Sequence, residues 1–266
     1  MTRVLSGAVL LVVAIAIVWF APALLFLAAA ETLIVLGGLE LAAMARASRL
    51  TIPTAASTVA AALVCASFAR LAFRGQAWIS LDAVLMSALV AIGALGLSSW
   101  RGGPDALAST AGAFLPSLYL GLPLGSMVAV REARGPEALF LLMLTVFVSD
   151  TAQYYSGRLW GRHLLAPTIS PKKTIEGAAG GFVCGALALA LASRAWLPTM
   201  PAGLGALLGL AVVAVGILGD LFESMLKRSA GVKDSSALIP GHGGVLDRID
   251  ALLFAAPLYY VVLKSL

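Results

Sequence analysis

Long runs of apolar residues with almost no charge restrict the fold of this chain more than any other feature. Two examples are the runs 4–20 and 206–218. Runs of this kind are candidates for helices that span a bilayer core about 30 Å thick. Apolar residues make up 61% of the chain and charged residues 12%, against about 25% charged residues in an ordinary soluble domain. A water-soluble fold of 266 residues could not bury that much apolar surface, so the sequence predicts an integral membrane protein.

The apolar pattern predicts an all-α fold, a polytopic transmembrane bundle of about nine helices. We expect every span to be helical, because an isolated strand would leave backbone polar groups unpaired in hydrocarbon. Pro22 could either turn the chain between the first two spans or only kink one long helix. Glycines 177, 180, 181 and 185 have the spacing that lets packed helices approach closely. The predicted spans are 4–20, 22–45, 54–73, 77–97, 107–130, 137–157, 174–195, 203–226 and 247–264.

The chain has no tandem repeat or low-complexity linker, and we interpret residues 1–266 as one integral membrane domain. Seven of the 13 acidic residues lie from position 150 onward, so residues 1–136 are predicted to be mainly scaffold and 137–266 to be the catalytic half. The first apolar run could imitate a cleavable secretory signal. Because apolar spans continue along the chain, it is more simply the first anchor. Cys65 and Cys184 lie far apart in apolar spans, without metal or disulfide spacing, and are interpreted as core residues.

The basic residues predict how the chain is oriented. The net charge is +5, but the 18 basic residues lie mostly in short loops, a pattern of orientation signals and phosphate contacts, so no nucleic-acid partner is expected. Twelve of the 18 fall on one side of the proposed spans. The sequence therefore predicts that the loops near positions 165 and 238 are cytoplasmic, with position 198 outside.

A polar segment between the last two apolar spans is the most informative part of the sequence. On a helix, several of its side chains share one face at three-to-four spacing: Asp220, Glu223, Ser224, Lys227 and Arg228. Asp247 and Asp250 likewise share a face. One interpretation is interhelical salt bridges, in which Asp220 and Asp247 pair with Lys227, Arg228 or Arg248. The other is a divalent cation such as Mg²⁺, held by carboxylate oxygens and shared with substrate phosphates.

Two further segments could contact phosphate. The loop 240–244 has three glycines, which permit positive φ angles and close approach of backbone amides to an anion. His242 in that loop could be a turn residue or an acid, base or ligand. Upstream, Ser170 is a plausible N-cap, with Pro171 in the first helical turn and Lys172 and Lys173 at the helix start. The two lysines could bind an anionic ligand at that helix end or could be topology anchors only.

These motifs together resemble the signature of the phosphatidate cytidylyltransferase family. The resemblance is carried by Ser224 to Arg228, Lys233-Asp234 and His242 to Asp250, with further similarity in 150–158 and 170–177. The N-terminal half matches only in being apolar. The chain departs from the family pattern in Ala152-Gln153 and at Ile175, which bears on lipid preference more than on reaction type.

The resemblance implies transfer of CMP from CTP to phosphatidate, giving CDP-diacylglycerol and pyrophosphate for phospholipid biosynthesis. It implies Mg²⁺, a second, monovalent cation such as K⁺, a membrane-lipid environment and a homodimer. It also implies a multi-pass protein of the bacterial inner membrane with a cytoplasmic active site. The predicted catalytic residues are Asp220, Lys227, Arg228, Asp247 and Arg248, and the predicted metal ligands are Asp220, Asp247 and Asp250. The predicted substrate-binding residues are Asp150, Ser170, Lys172, Lys173, Thr174, Glu176, Ser224, Lys233, Asp234, His242, Gly243 and Gly244.

Two other functions stay open from the residues alone. Another CTP-using membrane transferase, such as a lipid-alcohol kinase or a cytidylyltransferase for a different lipid phosphate, would need the same acids and bases. A secondary transporter would place its charged residues along a path near the bilayer midplane. Here the charges cluster at span ends, which argues against a transporter.

Overall fold

The computed structural model describes residues 2–70, 79–239 and 241–266, with side chains from residue 7 onward. Parts of the predicted spans 54–73 and 77–97, and Pro240, lie outside the described residues. The helices are α1 (Thr2–Phe20), α2 (Ala23–Ala47), α3 (Thr54–Ala66), α4 (Leu81–Ser99), α5 (Ala106–Pro116), α6 (Leu122–Arg134), α7 (Pro136–Trp160), α8 (Ile175–Trp196), α9 (Ala202–Ser229) and α10 (Leu246–Ser265). A short hairpin, β1 (Leu164–Ala166) and β2 (Ser170–Thr174), lies between α7 and α8.

Six stretches of helix in the described part of the chain are long and apolar enough to cross a membrane, which indicates a multi-pass membrane protein. They are Ala23–Ala47, Leu81–Ser99, Ala106–Arg134, Pro136–Trp160, Ile175–Trp196 and Ala202–Ser229. The predicted count of about nine is not confirmed. Gly7–Phe20 and Thr54–Ala66 are shorter apolar helices, and α10 carries charged residues in its first turns and its last.

The chain divides into two compact units. The first unit comprises Met1–Glu132 and Leu226–Arg248, and the second comprises Ala133–Met225 and Ile249–Leu266. The segment 226–248, which carries many of the predicted site residues, thus belongs to the same unit as the first six helices. The division into a scaffold half and a catalytic half stays a prediction.

In the first unit, α3 packs against α2, α4, α5 and a π-helical turn, Ser117–Gly121. A Cβ atom at Gly121 would lie 2.6 Å from the carbonyl oxygen of Ala61, so the two backbones can approach only because residue 121 is glycine. Pro22 separates α1 from α2. Arg131 donates its Nε to the carbonyl oxygen of Val18 at 2.7 Å and its Nη2 to that of Ala21. These bonds satisfy carbonyl oxygens that lack an intrahelical donor because α1 ends there.

In the second unit, α7 and α8 pack closely along a row of glycines, as their spacing predicted. A Cβ atom at Gly177 would lie 2.8 Å from the carbonyl oxygen of Gln153, and one at Gly181 would lie 2.5 Å from the Gln153 side chain. A Cβ atom at Gly180 would overlap Ser156. The small residues therefore set the distance between these two helices.

The hairpin corrects the prediction that Ser170 caps a helix with Lys172 and Lys173 at its start. Residues Ser170–Thr174 form β2, and α8 begins only at Ile175. Thr174 is the N-cap, and its side chain accepts a hydrogen bond from the Gly177 amide at 3.1 Å. Both Ser170-Pro171 and Thr174-Ile175 are plausible helix starts, and pairing with β1 gives the upstream residues strand partners instead. The expectation of an all-α chain is therefore wrong at this hairpin.

Candidate functional site

Four carboxylates from three helices act on one another in the second unit. Asp150 comes from α7, Asp220 and Glu223 come from α9, and Asp250 comes from α10. The charges of Asp220, Glu223 and Asp150 all act on the carboxyl group of Asp250, and the charge of Asp220 acts on Asp150. Glu223 is fully buried. Negative charges that act on one another in this way repel, and a nearby cation stabilises them.

Lys173 supplies one such cation. Its Nζ lies 2.5 Å from Oδ2 of Asp220, and the two side chains keep 20% and 33% of their surface exposed. Ser224 also donates to Oδ1 of Asp220 at 3.4 Å, and Gln153 donates to Oδ1 of Asp150 at 3.0 Å. The Lys173–Asp220 pair is therefore only partly buried within the protein.

The hairpin that carries Lys173 is tied to the start of α8 by Glu176. One oxygen of Glu176 accepts from the amides of Arg162 and His163 at 3.0 and 3.2 Å, and the other lies 2.6 Å from Nδ1 of His163. Glu176, a predicted substrate-binding residue, thus has protein partners on both oxygens. His163 was missed from the sequence. Its position just beyond the polar segment 149–158 was the only available signal.

Close packing at the base of the hairpin depends on glycine. A Cβ atom at Gly157 would lie 2.9 Å from Oγ1 of Thr174, and one at Gly161 would lie 2.8 Å from Cγ2 of the same threonine. The end of α7 therefore lies directly against the N-cap of α8. This contact sets where β2, and with it Lys173, lies.

Asp247 belongs to the first unit and is held by a different set of groups. Its Oδ1 lies 2.5 Å from Nζ of Lys227, with 7% and 10% of the respective side chains exposed. Its Oδ2 accepts from the amide and the hydroxyl of Ser235, both at 2.9 Å, and from the amide of Gly244 at 2.8 Å. Of the two interpretations of the polar segment, the salt bridge therefore describes Asp247 and Lys227 as they stand in the structure.

The glycine-rich loop has the backbone conformation that its sequence predicted. Gly241 and Gly243 have φ angles of 77° and 80°, which favour glycine. A Cβ atom at Gly243 would also lie 2.5 Å from Oδ2 of Asp247. The loop amides hold protein carboxylates, because Gly244 donates to Asp247 while the amides of Val245 and Leu246 donate to Glu40. Phosphate binding by Gly243 and Gly244 stays a prediction.

Glu40 on α2 was missed from the sequence. It is 5% exposed and accepts four hydrogen bonds, two from the hydroxyls of Ser235 and Ser236 and two from the amides at the start of α10. Carboxylates inside apolar spans are costly and are usually partnered or functional. That rule, applied to the run 22–45, points to Glu40 and equally to Glu31.

The remaining predicted residues are largely on the surface. Lys172, Arg228, Lys233, Asp234 and Arg248 are exposed, whereas Ser170 and His242 are half-buried. Arg228 donates to the carbonyl oxygen of Val232 at 3.1 Å and so closes the turn after α9.

The described residues contain no group of three or more histidine, cysteine, aspartate or glutamate side chains arranged to hold a metal ion. The predicted ligands Asp220 and Asp250 belong to the second unit and Asp247 to the first. Carboxylate oxygens are the hard ligands that Mg²⁺ prefers, and the charges of Asp220 and Asp250 act on each other, so the chemistry of these two acids fits a shared cation.

Comparison with known proteins gives a consistent result. A model of the cytidylyltransferase family matches residues 1–266. A Helicobacter pylori protein named phosphatidate cytidylyltransferase is 34% identical over 257 residues, which are 96% of this chain and 88% of that protein. Proteins of the same name from Mycobacterium bovis and Haemophilus influenzae are 43% and 47% identical over 142 and 131 residues. Those matches cover 53% and 46% of this chain, and the chain spans only 46% and 45% of the length of these two relatives. The match to the family model over the whole chain, together with the near-full-length similarity, shows that the chain belongs to the cytidylyltransferase family.

Proposed function

We propose that this chain is a CTP:phosphatidate cytidylyltransferase, which transfers CMP from CTP to phosphatidate and releases pyrophosphate. The observation that carries the proposal is the near-full-length similarity to the H. pylori protein of that name. The structure supports it with a half-buried lysine–carboxylate pair, Lys173 and Asp220, beside three further acids. This combination of charges suits a substrate that carries several phosphates and brings cations with it.

The proposed reaction makes one bond and breaks one. An oxygen of the phosphatidate phosphate attacks the α-phosphorus of CTP, and the bond from that phosphorus to the bridging oxygen breaks. Pyrophosphate leaves with the electron pair. The phosphate is already largely ionised near neutral pH, with a second pKa of about 6, so a general base contributes little. The protein must bring two polyanions together and balance the charge of the leaving group.

We assign to Lys173, in the second unit, the role of balancing the charge of the leaving group. Its ammonium group lies against Asp220, which holds it in place and leaves further N–H donors for a phosphate oxygen. Binding of an anion beside Lys173 also offsets the cost of partly desolvating the lysine. Thr174 and Glu176 contribute indirectly, because they fix the start of α8 and the hairpin that carries the lysine.

We propose that Mg²⁺ is held by Asp220 and Asp250, with Asp150 and Glu223 adding negative charge nearby. A bound Mg²⁺ would neutralise phosphate oxygens and withdraw electrons from the reacting phosphorus. The requirement for Mg²⁺, a second cation such as K⁺, and the participation of Asp247 are parts of the proposal. So are a homodimer in the bacterial inner membrane and an active site that faces the cytoplasm, where CTP and the phosphatidate headgroup are both within reach.

The test is an assay of the purified protein with phosphatidate, Mg²⁺ and CTP labelled in the α-phosphate. The proposal predicts label in CDP-diacylglycerol and an equal amount of released pyrophosphate. A parallel reaction uses CTP labelled in the γ-phosphate and diacylglycerol as acceptor. Label appearing in phosphatidate, with CDP as the second product, would identify a lipid kinase instead.

Cation dependence is measured in the same assay. Replacement of Mg²⁺ by a chelator should abolish product, and restored Mg²⁺ should recover it. Leaving out K⁺ while keeping the same anion tests whether the reaction requires a monovalent cation. Activity that persists in full with chelator would overturn the metal part of the proposal and leave the transfer itself standing.

A further inference from the structure

The buried carboxylate of Glu40 is linked to Asp247 through one hydroxyl group. Ser235 Oγ lies 2.8 Å from Oε2 of Glu40 and 2.9 Å from Oδ2 of Asp247. Glu40 is 5% exposed and Ser235 is 6% exposed. All three residues belong to the first unit. We propose that Glu40 is a positioning residue that fixes the Asp247 carboxylate through Ser235. This inference rests on the proposed function, in which Asp247 participates.

The bonding pattern around Glu40 requires a carboxylate. Oε1 accepts from the Ser236 hydroxyl at 2.7 Å and from the Val245 amide at 2.9 Å, and Oε2 accepts from the Leu246 amide at 3.0 Å in addition to its contact with Ser235. Each oxygen thus faces a backbone N–H group. A glutamine in either orientation would place its NH₂ group against one of those N–H groups, and two donors cannot bond each other. The negative charge of Glu40 also lies at the N-terminus of α10, where the helix dipole favours it.

Two routes connect Glu40 to Asp247. The first is the Ser235 hydroxyl, which has a single hydrogen atom to share between two carboxylates. A stronger hydrogen bond to one carboxylate therefore weakens the hydrogen bond to the other. The second is the backbone, because Glu40 binds the amides of residues 245 and 246, immediately before Asp247. Gly244 permits this arrangement, since a Cβ atom there would overlap both Glu40 Oε1 and Ser235 Oγ.

Two serines on Glu40 provide a matched comparison. Both hydroxyls donate to Glu40, but only that of Ser235 is also within 2.9 Å of Asp247. If Glu40 acts on Asp247 through Ser235, then Glu40→Gln should lower kcat by a smaller factor in a Ser235→Ala background than in the wild type. In a Ser236→Ala background it should keep its full effect on kcat. Non-additivity of this kind is what distinguishes coupled residues from independent ones.

The experiment measures kcat and KM for CTP in Glu40→Gln, Ser235→Ala, Ser236→Ala and the two double variants, all purified from membranes. Glu31→Gln, the same change at a half-buried position on the same helix, is the control. We expect Glu40→Gln to lower kcat about 10- to 100-fold, as loss of a group that orients a site carboxylate commonly does. KM should change much less. A structural role alone would lower the amount of folded protein and leave the kcat of the folded fraction unchanged.

Hydrogen–deuterium exchange of peptides covering 241–248 provides a readout without catalysis. Glu40→Gln should accelerate exchange there, whereas Glu31→Gln should not. Unchanged exchange, or a kcat equal to that of the wild type, would overturn the inference, as would equal fold-losses from Glu40→Gln in both serine backgrounds. A wild-type protein that forms no CDP-diacylglycerol would instead overturn the proposed function. The exchange comparison would still decide whether Glu40 holds this loop.

Discussion

The Nζ atom of Lys227 lies 2.5 Å from Oδ1 of Asp247, and both side chains are almost fully shielded from solvent. Asp250, three residues later on the same helix, experiences the charges of three other acids. One aspartate is therefore paired with a cation, while the other belongs to a group of like charges. Removal of the negative charge should have opposite effects on stability at the two positions.

We predict that Asp247→Asn destabilises the protein by about 3–5 kcal/mol, because it removes one charged partner of the buried Lys227–Asp247 ion pair. Asp250→Asn should keep or raise thermal stability, since it relieves repulsion among carboxylates. It should still lower turnover about 100-fold, as loss of a major electrostatic group does. Thermal unfolding in detergent and the CTP assay measure the two effects. A stable Asp247→Asn protein, or an Asp250→Asn protein with full activity, would contradict this assignment.

Lys172 and Lys173 are adjacent in sequence but should differ in effect. Lys173 pairs with Asp220 at 2.5 Å, whereas Lys172 is exposed on the same strand. Lys173→Ala should lower kcat/KM for CTP about tenfold, the equivalent of a charge-assisted hydrogen bond of about 1.5 kcal/mol. Lys172→Ala should lower it less. Both proteins should be recovered in wild-type yield, and equal losses would show that the pair acts through general charge rather than through the contact with Asp220.

Glu176→Gln should loosen the hairpin that carries Lys173. A glutamine keeps one acceptor oxygen where the carboxylate oxygens of Glu176 now serve two backbone amides and the His163 ring. We expect faster hydrogen exchange in residues 162–174 and a higher KM for CTP. His163→Ala removes only the ring contact and is the matched control with a smaller expected effect. Identical exchange in Glu176→Gln and the wild type would show that pairing between β1 and β2 holds the hairpin without this anchor.

Gly244→Ala should disturb the loop before α10, because the added methyl group would overlap the Ser235 hydroxyl and the Glu40 carboxylate. We expect loss of most activity and a lower melting temperature. Gly93→Ala on α4 is the control, since an added Cβ there meets nothing within 4 Å. In a helix that change should be neutral or stabilising by about 0.5–1 kcal/mol. Wild-type activity in Gly244→Ala would mean that the loop can shift without cost.

The membrane orientation that the basic residues predict is tested by cysteine labelling of intact cells. In a background without Cys65 and Cys184, a cysteine introduced at Pro198 should react with an impermeant reagent from outside. Cysteines at Leu165 and Leu238 should react only after the cells are opened. Pro198 and Leu238 are exposed and Leu165 is half-buried in the structure, so the first two are readily labelled. Reaction at 165 or 238 from outside, with none at 198, would reverse the orientation.

Local patterns in the sequence were enough to predict the helical membrane character, most helix positions and the segments that carry charge. The predicted spans 137–157, 174–195, 203–226 and 247–264 correspond closely to α7, α8, α9 and α10. This succeeded because hydrophobicity and helical periodicity are local properties that the chain displays directly. The positive φ angles of Gly241 and Gly243 were predictable for the same reason, since glycine is the residue that adopts them without strain.

The contacts between charged side chains became clear only from the folded structure. Lys227 and Asp247 are separated by 20 positions, and Glu40 and Ser235 by 195. Residues so far apart in sequence produce no recognisable spacing pattern. The sequence therefore could not distinguish the salt-bridge interpretation of Asp247 from the metal interpretation. The strand at Ser170–Thr174 was missed for a related reason. Its partner Leu164–Ala166 supplies hydrogen bonds that overrode a plausible local helix start, because pairing energy outweighs local propensity in so short a segment.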